Sequence, residues 1–427
     1  MVYVISQSGK ALMPTNRHGK VRHLLCEGKA HVVRREPFTI QLLYDSKEYT
    51  QPVTLGVDAG TGHVGLSATT EKAELFASEV TLRRDIQELM STRREVRRTR
   101  RNRKTRYRAP RFNNRRRKEG LLAPSVEQSV NSHLHLIRKV NSILPIMKTI
   151  IEVAQFDTQL LKNPDIQGEQ YQQGEQMGFW NVREYVMFRD GHTCQHCHGK
   201  SKDKVLNIHH IESRQTGGNA PNNLITLCET CHKAYHRGEI KLKIKRGVSL
   251  RDAALMNIMR WKVYNRAKQE FGNVHLTYGY ITKNTRIQNG LDKSHAVDAR
   301  CISGHPLAKP CETLWQMRQI RRHNRQLYKA NTLKGGFRKK NQAPRLVKGF
   351  RLFDKIMYNS TECFIFGRRS SGSFDIRKFD GTRVNTGISY KKLKFKSISN
   401  SFIVNQLKRL AAIPPTNKFV GFLADLS

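Results

Sequence analysis

The 427-residue sequence predicts a mixed α/β fold, and three observations carry that prediction. Apolar runs of strand length occur at 53–70 and 146–156, an amphipathic helical pattern fills 125–144, and paired cysteines bracket a polar segment at 194–231. Strands and helices that alternate along a chain are typical of a sheet with helices packed on it. The cysteine pairs indicate a metal-bound module within the same chain.

The charge of the chain narrows the class of partner. Lys and Arg number 77 against 34 Asp and Glu, a formal net charge of +43. A charge this large opposes compaction and favours binding to a polyanion, whereas a merely soluble basic protein is the alternative. Eight cysteines, four of them in the two pairs, do not suggest a disulfide framework and favour a reducing compartment. Neither a signal peptide nor an apolar run near 18 residues is found, so we expect no membrane insertion.

In chain order, the first candidate acid is Asp58, near the end of the first of two strands predicted for the hairpin at 53–70. A buried aspartate must be paired or bind a cation, but ordinary hairpin chemistry is the alternative. Glu152 lies in the apolar strand at 146–156, where an isolated acid is more often structural or outward facing. His295 and Asp298, three residues apart, share one face of a helix predicted within 291–302. Each signal is weak alone.

The segment at 82–118 places arginine on every face of its predicted helix, which Pro110 should end. Such a helix repels itself unless phosphates surround it, so we expect it to lie within folded RNA or a heteroduplex. A disordered basic tail or a localisation signal is the alternative. The predicted RNA-binding residues are Arg93, Arg94, Arg97, Arg98, Arg100, Arg101, Arg103, Arg106, Arg111, Arg115, Arg116 and Arg117.

Two further helices are predicted. The first, at 125–144, has a capping box of Ser125 with Gln128 and one apolar stripe. The second, at 250–271, has Leu255, Ile258, Met259 and Val263 as packing positions.

The Gln- and Gly-rich stretch at 157–180 is typical of a linker. From residue 343 onward, short alternating stretches between Gly, Ser and Asp-Gly turns predict a small twisted β-barrel.

The two cysteine pairs predict a structural zinc site. Cys194-x-x-Cys197 and Cys228-x-x-Cys231 supply four soft ligands for one closed tetrahedral Zn²⁺. Other candidate residues accompany them: His209, His210, Asn223 and His232. A pure zinc ribbon that binds nucleic acid is the alternative, but it needs only the cysteines.

This order of residues resembles the HNH, or ββα-metal, nuclease motif. The resemblance implies that His210 is the general base, that His209 and His232 hold one Mg²⁺ or Mn²⁺, and that Asn223 orients the base. Phosphodiester hydrolysis needs a deprotonated water and a cation that neutralises charge at the scissile phosphate. A histidine with a pKa near 6.5 suits the first task. Whether His236 also binds the metal stays open.

Asp58, Glu152 and the late His295-x-x-Asp298, taken together, resemble the RuvC nuclease of the RNase H-like fold. The resemblance implies a second catalytic centre with two Mg²⁺ or Mn²⁺ ions about 4 Å apart. Its ligands would be Asp58, Glu152 and Asp298, with His295 as a base or water positioner.

The order of all these motifs resembles the IscB family of transposon-encoded RNA-guided DNA endonucleases, compact relatives of the type II CRISPR effector. The N-terminus resembles that family's PLMP domain, with Ala11 in place of the leading proline. The implied domains are 1–50 PLMP-like, 51–80 RuvC part I, 81–120 arginine-rich bridge helix, 121–156 RuvC part II, 157–180 linker, 181–245 HNH with zinc knuckles, 246–330 RuvC part III, and 331–427 a C-terminal β domain that contacts RNA and the target-flanking motif.

The resemblance implies a Mg²⁺-dependent endodeoxyribonuclease guided by a structured RNA (omega RNA). The HNH centre would cut the guide-paired strand of double-stranded target DNA, and the RuvC centre the displaced strand. It also implies a monomer in a 1:1 RNA complex, in the cytoplasm of a prokaryote and encoded by a mobile element. Two alternatives stay open: a stand-alone HNH homing or repair endonuclease that reads DNA directly, and a catalytically inactive RNA-binding protein. The presence of Asp58, Glu152, His210 and Asp298 argues against decayed nuclease domains.

Overall fold

The computed structural model describes residues 1–101, 121–154, 176, 178–214, 218–242, 247, 251–321, 328–329, 339–340 and 343–409. The predicted linker at 157–180 lies mostly outside these ranges, as do Arg103, Arg106, Arg111, Arg115, Arg116 and Arg117. Among the helices that are described, none is both long and apolar enough to cross a membrane.

The N-terminal segment forms a small sheet with one helix. Its elements are β1 (Tyr3–Ile5), α1 (His18–Cys26), β2 (Ala30–Arg35) and β3 (Phe38–Leu42). The strand order is β1-β3-β2, with β1 parallel and β2 antiparallel to β3. Val21 and Ile40 are part of the apolar cluster that joins helix and sheet.

The next segment provides four strands of a larger sheet and two helices. These are β4 (Val53–Ala59), β5 (His63–Thr69), β6 (Glu74–Thr81), α2 (Ile86–Arg101), α3 (Pro124–Asn141) and β7 (Ile146–Val153). The predicted hairpin of two core strands is present as the antiparallel pair β4 and β5. The predicted capping box is wrong: α3 begins at Pro124 without a side-chain cap, because proline fits the first helical turn.

A ββα unit follows. It comprises α4 (Val182–Arg189), β8 (Leu206–His210), β9 (Leu224–Cys228) and α5 (Glu229–Arg237). β8 and β9 pair antiparallel, and Asn181 caps α4 by accepting hydrogen bonds from two backbone N–H groups.

The chain then returns to the larger sheet through α6 (Arg251–Phe271), β10 (Val274–Tyr278), α7 (Gly279–Gln288), α8 (His295–Ile302) and β11 (Thr313–Gln319). Met259 and Val263 of α6 are buried as predicted. Ile258 is not, because the buried stripe runs through Met259, Val263 and Ala267 at helical spacing and leaves Ile258 half exposed.

The last described strands are β12 (Tyr328–Lys329), β13 (Lys339–Lys340), β14 (Lys355–Tyr358), β15 (Thr361–Arg368), β16 (Ser373–Arg377), β17 (Arg383–Ser389), β18 (Lys394–Ser397) and β19 (Phe402–Lys408). Five of them form an antiparallel sheet in the order β17-β16-β15-β14-β18. The described strands at its two ends do not pair, so this sheet is open and the predicted barrel is wrong. β19 lies outside this sheet and pairs with β11.

The central sheet has seven strands in the order β10-β7-β4-β5-β6-β11-β19. β10, β7 and β4 are parallel, so their carboxyl ends meet at one edge. β5 and β6 continue the sheet antiparallel, and β11 is parallel to β6. The larger compact unit, which contains this sheet, comprises 1–86, 116–154 and 258–427. The smaller unit, which contains the ββα segment, comprises 87–115 and 155–257.

Candidate metal centres

The four paired cysteines converge in the smaller unit. The Sγ atoms of Cys194, Cys197, Cys228 and Cys231 all lie within 4.8 Å of one another. Hydrogen bonding to Ser201 lowers the pKa of Cys197 to about 6, and burial raises the pKa of Cys231. Four clustered sulfurs from two Cys-x-x-Cys turns fit a tetrahedral Zn²⁺, which holds such ligands as thiolates.

The histidine pair lies at the end of β8, opposite β9. His209 pairs with Ile225 and His210 with Leu224 in the ladder. Consecutive strand residues point to opposite faces. His209 is therefore directed to the face covered by α5 and is buried, while His210 points to the other face.

On the α5 side, His209, His232 and His236 form a cluster whose ring nitrogens lie within 4.8 Å of one another. His232 and His236 are one helical turn apart, and their Nε2 atoms are 3.3 Å apart. Burial, with the three neighbouring histidines, lowers the pKa of His209 to about 4. The structure therefore adds His236 to the predicted pair, and its i+4 position after His232 was the available sequence signal.

The cluster fits a divalent cation. His209 Nε2 is buried and has no hydrogen-bond partner among the described residues. A buried polar atom without a partner is costly, and neutral imidazole nitrogens are common ligands of divalent metals. The low pKa of His209 also keeps its ring neutral at physiological pH, the form that binds a metal.

The partner of His210 differs from the prediction. His210 Nε2 lies 3.0 Å from Asn219 Oδ1. The Asn223 amide instead holds the loop after His210: it accepts from Glu212 N at 2.9 Å and donates to the carbonyl oxygens of Glu212 and Gly218. All three bonds go to backbone, so the predicted orienting role of Asn223 stays a prediction that would act through this loop. Asn219 was missed because a turn-rich GGN sequence carries no catalytic pattern.

A second site lies in the larger unit, at the edge where the parallel strands end. Val57 pairs with Ile151, so Asp58 and Glu152 follow as neighbours on adjacent strands. Each is only 7% exposed. Two buried carboxylates side by side repel each other, so this edge of the sheet requires cations.

Helix α8 brings the other two candidates to the same place. His295 Nδ1 lies 2.7 Å from Asp58 Oδ2, and this hydrogen bond raises the pKa of His295. The pKa of Asp298 is raised by burial and then by the charge of Asp58. The four candidates, scattered from residue 58 to 298, are therefore brought together by one sheet and one helix.

Two arginines that the sequence did not single out pair with these acids. Arg260 on α6 donates from Nη1 to Glu152 Oε1 at 2.7 Å, and its Nη2 lies 3.7 Å from Asp58 Oδ1. Arg286 on α7 lies 3.0 Å from Asp298 Oδ1 without hydrogen-bond geometry. An arginine in a helix of a chain with 77 basic residues carries no distinguishing pattern, so sequence alone could not select these two.

The donor set at this edge also fits divalent cations. Three carboxylates supply the oxygen ligands that Mg²⁺ and Mn²⁺ prefer. Asp298 Oδ1 is buried and has no hydrogen-bond partner among the described residues. Burial raises the pKa of Glu152, and the charge of Arg260 opposes that rise.

Comparison with known families places both regions. Residues 2–174 match the family model described as RRXRR protein, and residues 194–238 match the model described as HNH endonuclease. The HNH match contains all four clustered cysteines and all three clustered histidines. The chain therefore contains an HNH endonuclease domain at 194–238. Together the two matches support the resemblance to the IscB family that the order of the motifs carries.

Similarity to individual proteins is partial. Anaredoxin from Nostoc sp. is 46% identical over 41 residues, which cover 9% of this chain and 54% of that protein. Cas9 of Streptococcus thermophilus, solved in complex with the GGAA PAM, aligns at 14% identity with a TM-score of 0.32. The alignment covers 50% of this chain and 30% of the Cas9 chain. The type II-C Cas9 of Actinomyces naeslundii aligns at 11% identity and a TM-score of 0.25 over 60% of each chain. TM-scores this low do not establish a shared fold.

Proposed function

We propose that this chain is an RNA-guided DNA endonuclease that makes a double-strand break with two metal-dependent centres. The ββα segment would be the HNH centre and cut the guide-paired strand. The seven-stranded sheet would be an RNase H-like RuvC core, whose carboxylate edge cuts the displaced strand. The chain's IscB-like character supports guidance by a structured RNA.

One observation carries the proposal most strongly. Asp58, Glu152 and Asp298 come from three separate parts of the chain, yet they lie with His295 at one edge of one sheet. Burying such a carboxylate cluster is costly unless cations neutralise it. A nucleic-acid binder without catalytic activity has no need of that cluster, whereas a two-metal phosphodiesterase does.

In the HNH centre, His210 would take the proton from the attacking water. Its Nε2 faces Asn219 Oδ1, a carbonyl oxygen that can only accept. Nε2 therefore carries the ring proton, which leaves the lone pair of Nδ1 to act as the base. A divalent cation held by His209, His232 and His236 would supply charge neutralisation at the scissile phosphate.

In the carboxylate centre, Asp58 orients His295. Because the carboxylate accepts, His295 Nδ1 carries the proton and Nε2 is left to position or deprotonate water. The His295 side chain is 45% exposed, so a DNA strand can reach it. Asp58, Glu152 and Asp298 would hold the Mg²⁺ ions that lower the pKa of the attacking water and stabilise the leaving oxygen.

The guide would be bound largely through phosphates. Arg93, Arg94, Arg97 and Arg98 are exposed on α2, and only three acids occur between residues 82 and 118. Arginine binds phosphate oxygens with two parallel hydrogen bonds. These side chains, rather than base-reading contacts, would anchor the RNA.

The first experiment is purification of the full chain expressed with its native flanking DNA, followed by sequencing of bound RNA. We expect one abundant structured RNA with a variable end. Absence of any discrete RNA would contradict guidance and favour a stand-alone HNH homing endonuclease that reads DNA directly.

The second experiment uses that RNA–protein complex and a matched duplex labelled differently on each strand. His210→Ala should abolish cutting of the guide-paired strand only, and Asp58→Ala cutting of the displaced strand only. Losses of about 10³-fold or more on the affected strand are expected for removal of a base or a metal ligand. Loss of both cuts in either single variant would overturn the assignment of one strand to each centre.

A further inference from the structure

Arg260 is the most deeply placed cation at the carboxylate edge. The residue is only 5% exposed, and it reaches the site from α6. Its Nε donates to Ala59 O at 2.7 Å, its Nη1 donates to Glu152 Oε1 at 2.7 Å, and its Nη2 lies 3.7 Å from Asp58 Oδ1. One guanidinium thus spans the gap between the two neighbouring carboxylates.

The electrostatic reason for this arrangement is direct. Asp58 and Glu152 are buried neighbours, and without a cation each would disfavour ionisation of the other. An isolated buried charge is strongly unfavourable, whereas a buried guanidinium between two carboxylates satisfies three groups at once. Arg260 therefore stabilises the site in the absence of metal.

The same arrangement conflicts with metal binding. A divalent cation held by Asp58 and Glu152 would need the carboxylate oxygens that the guanidinium contacts. Two cations cannot share those oxygens, because their repulsion at low dielectric is large. Arginine has a long side chain with several rotatable bonds, so the guanidinium can withdraw from Glu152 without movement of the helix.

We propose that Arg260 is an exchangeable counter-cation: it occupies the gap between Asp58 and Glu152 in the metal-free protein and must leave Glu152 before a divalent cation binds there. Arg260 is then a positioning residue that sets the affinity of the carboxylate centre for metal. This inference rests on the proposed function, which assigns Asp58 and Glu152 as metal ligands.

The test is a titration of the full-length protein with Mn²⁺ in the absence of nucleic acid. The electron paramagnetic resonance signal of free Mn²⁺ measures how much of the ion remains unbound. All variants carry His209→Ala, which removes a ligand of the histidine cluster and leaves the carboxylate edge as the site measured. Arg260→Gln should bind Mn²⁺ at least about tenfold more tightly, because a unit of positive charge beside the ion is gone. Arg260→Lys keeps the charge and should stay within about threefold of the parent.

Arg266→Gln is the matched control. Arg266 lies on the same helix and pairs with Glu127 at 2.8 and 2.9 Å, away from the carboxylate edge. Arg266→Gln changes the net charge by the same amount as Arg260→Gln, but at the pair with Glu127. Its Mn²⁺ affinity should therefore equal that of the parent. Equal or weaker binding by Arg260→Gln, including no binding by either protein, would overturn the proposal.

Adding Asp58→Asn separates the two levels of inference. If binding does not depend on Asp58, the proposed metal centre itself is wrong. If binding depends on Asp58 but Arg260→Gln does not strengthen it, only the role of Arg260 is wrong.

A measurement on the unsubstituted side chain covers the case in which Arg260→Gln fails to fold. In protein labelled with ¹⁵N at arginine Nε, the Arg260 signal should shift when Mg²⁺ is added and should not shift in Asp58→Asn. A signal unchanged at saturating Mg²⁺ would show that the guanidinium stays in place, which contradicts exchange.

Discussion

Adjacent residues on a strand can serve one reaction in different ways. His209 faces α5 and meets His232 and His236, while His210 faces away and meets Asn219. The alternation of the strand therefore separates the metal ligands from the base without any special backbone conformation. The two asparagines beside them also divide the work, since one contacts the base and the other holds the loop.

Substitution of Asn219 should affect the cleavage rate, whereas substitution of Asn223 should affect the stability of the fold. Asn219→Ala removes the partner of His210 and should slow cutting by the HNH centre about 10- to 100-fold, as loss of such outer partners does at other metal sites. Asn223→Ala removes three hydrogen bonds from a fully buried side chain and should lower stability by about 1–3 kcal/mol. Strand-resolved cleavage rates and thermal unfolding of both variants check this. If thermal unfolding of Asn219→Ala had the same low midpoint temperature as that of Asn223→Ala, the division of roles would be contradicted.

His133 should make the protein sensitive to acid. It is fully buried in α3, and burial lowers the pKa of its ring, with the carbonyl of Ser129 accepting from Nδ1 at 2.7 Å. A lowered pKa in the folded state means that the stability of the neutral form is complete above about pH 6.5 and is lost as the pH falls below that value. The loss can reach about 1.4 kcal/mol per pH unit.

The measurement is the free energy of unfolding at pH 7.5 and pH 5.5. His133→Gln, which is neutral at both values and can still donate to Ser129, should reduce the difference between them. His31→Gln, at an exposed position, is the control and should leave the difference unchanged. An unchanged pH dependence in His133→Gln would show that another group causes the loss of stability at acid pH.

At the residue scale, sequence analysis finds side chains whose type is unusual for their surroundings. Asp58 and Glu152 were recognisable because an acid within an apolar strand needs an explanation. Arg260 was not, because arginine is abundant in this chain and its partners are distant in sequence. Pairing of that kind becomes visible only when the fold joins residues about a hundred positions apart.

Two glycines determine how closely α8 approaches the central sheet. A Cβ added to Gly56 on β4 would overlap the carbonyl oxygen of Ala299, and one on Gly65 of β5 would overlap that of His295. Backbone of the helix therefore rests directly on backbone of the strands. This close approach is what lets His295 reach Asp58 at 2.7 Å.

Gly65→Ala should push the start of α8 away from the sheet. Overpacking of this kind costs about 1–3 kcal/mol of stability. It should also slow cutting by the carboxylate centre more than cutting by the HNH centre, since only the former includes His295. Gly19→Ala in α1 is the control: its Cβ would meet no atom within 4 Å, and alanine favours a helix by up to about 1 kcal/mol. Equal effects of Gly65→Ala on both strands would contradict the link between this packing and one centre.

At the scale of elements, local patterns predicted most of the central segments. The apolar stripe of α3 and the strands with Asp58 and Glu152 follow from periodicity, which acts within a few residues. The predicted helix runs three residues too far, because α3 ends at Asn141 and Leu144 is buried beyond its end. The open C-terminal sheet and the return of β19 to β11 could not be predicted. Strand partners are chosen by contacts far apart in sequence, and alternation alone does not distinguish a closed barrel from an open sheet.

The whole molecule combines two compact units with a charge of +43. Self-repulsion of that size opposes folding unless a polyanion compensates for it. The carboxylate centre is an exception within this charge, because its acids are offset by arginines brought there by the fold. Long-range attraction of nucleic acid and local attraction of divalent cations can therefore coexist in one chain.

Binding of the co-purified RNA should depend steeply on salt, because each neutralised phosphate releases counterions. The logarithm of the association constant should fall linearly with the logarithm of the NaCl concentration, by about 0.7 to 0.9 for each phosphate contacted. If α2 contacts the RNA, Arg94→Gln with Arg98→Gln should reduce that slope by about 1.4 to 1.8 units without removing any metal ligand. Lys20→Gln with Arg22→Gln makes the same change in charge at exposed positions of α1 and should leave the slope unchanged. Equal slopes for the two double variants, measured by filter binding between about 0.1 and 0.4 M NaCl, would mean that the RNA responds to the overall field of the protein and not to specific contacts with α2.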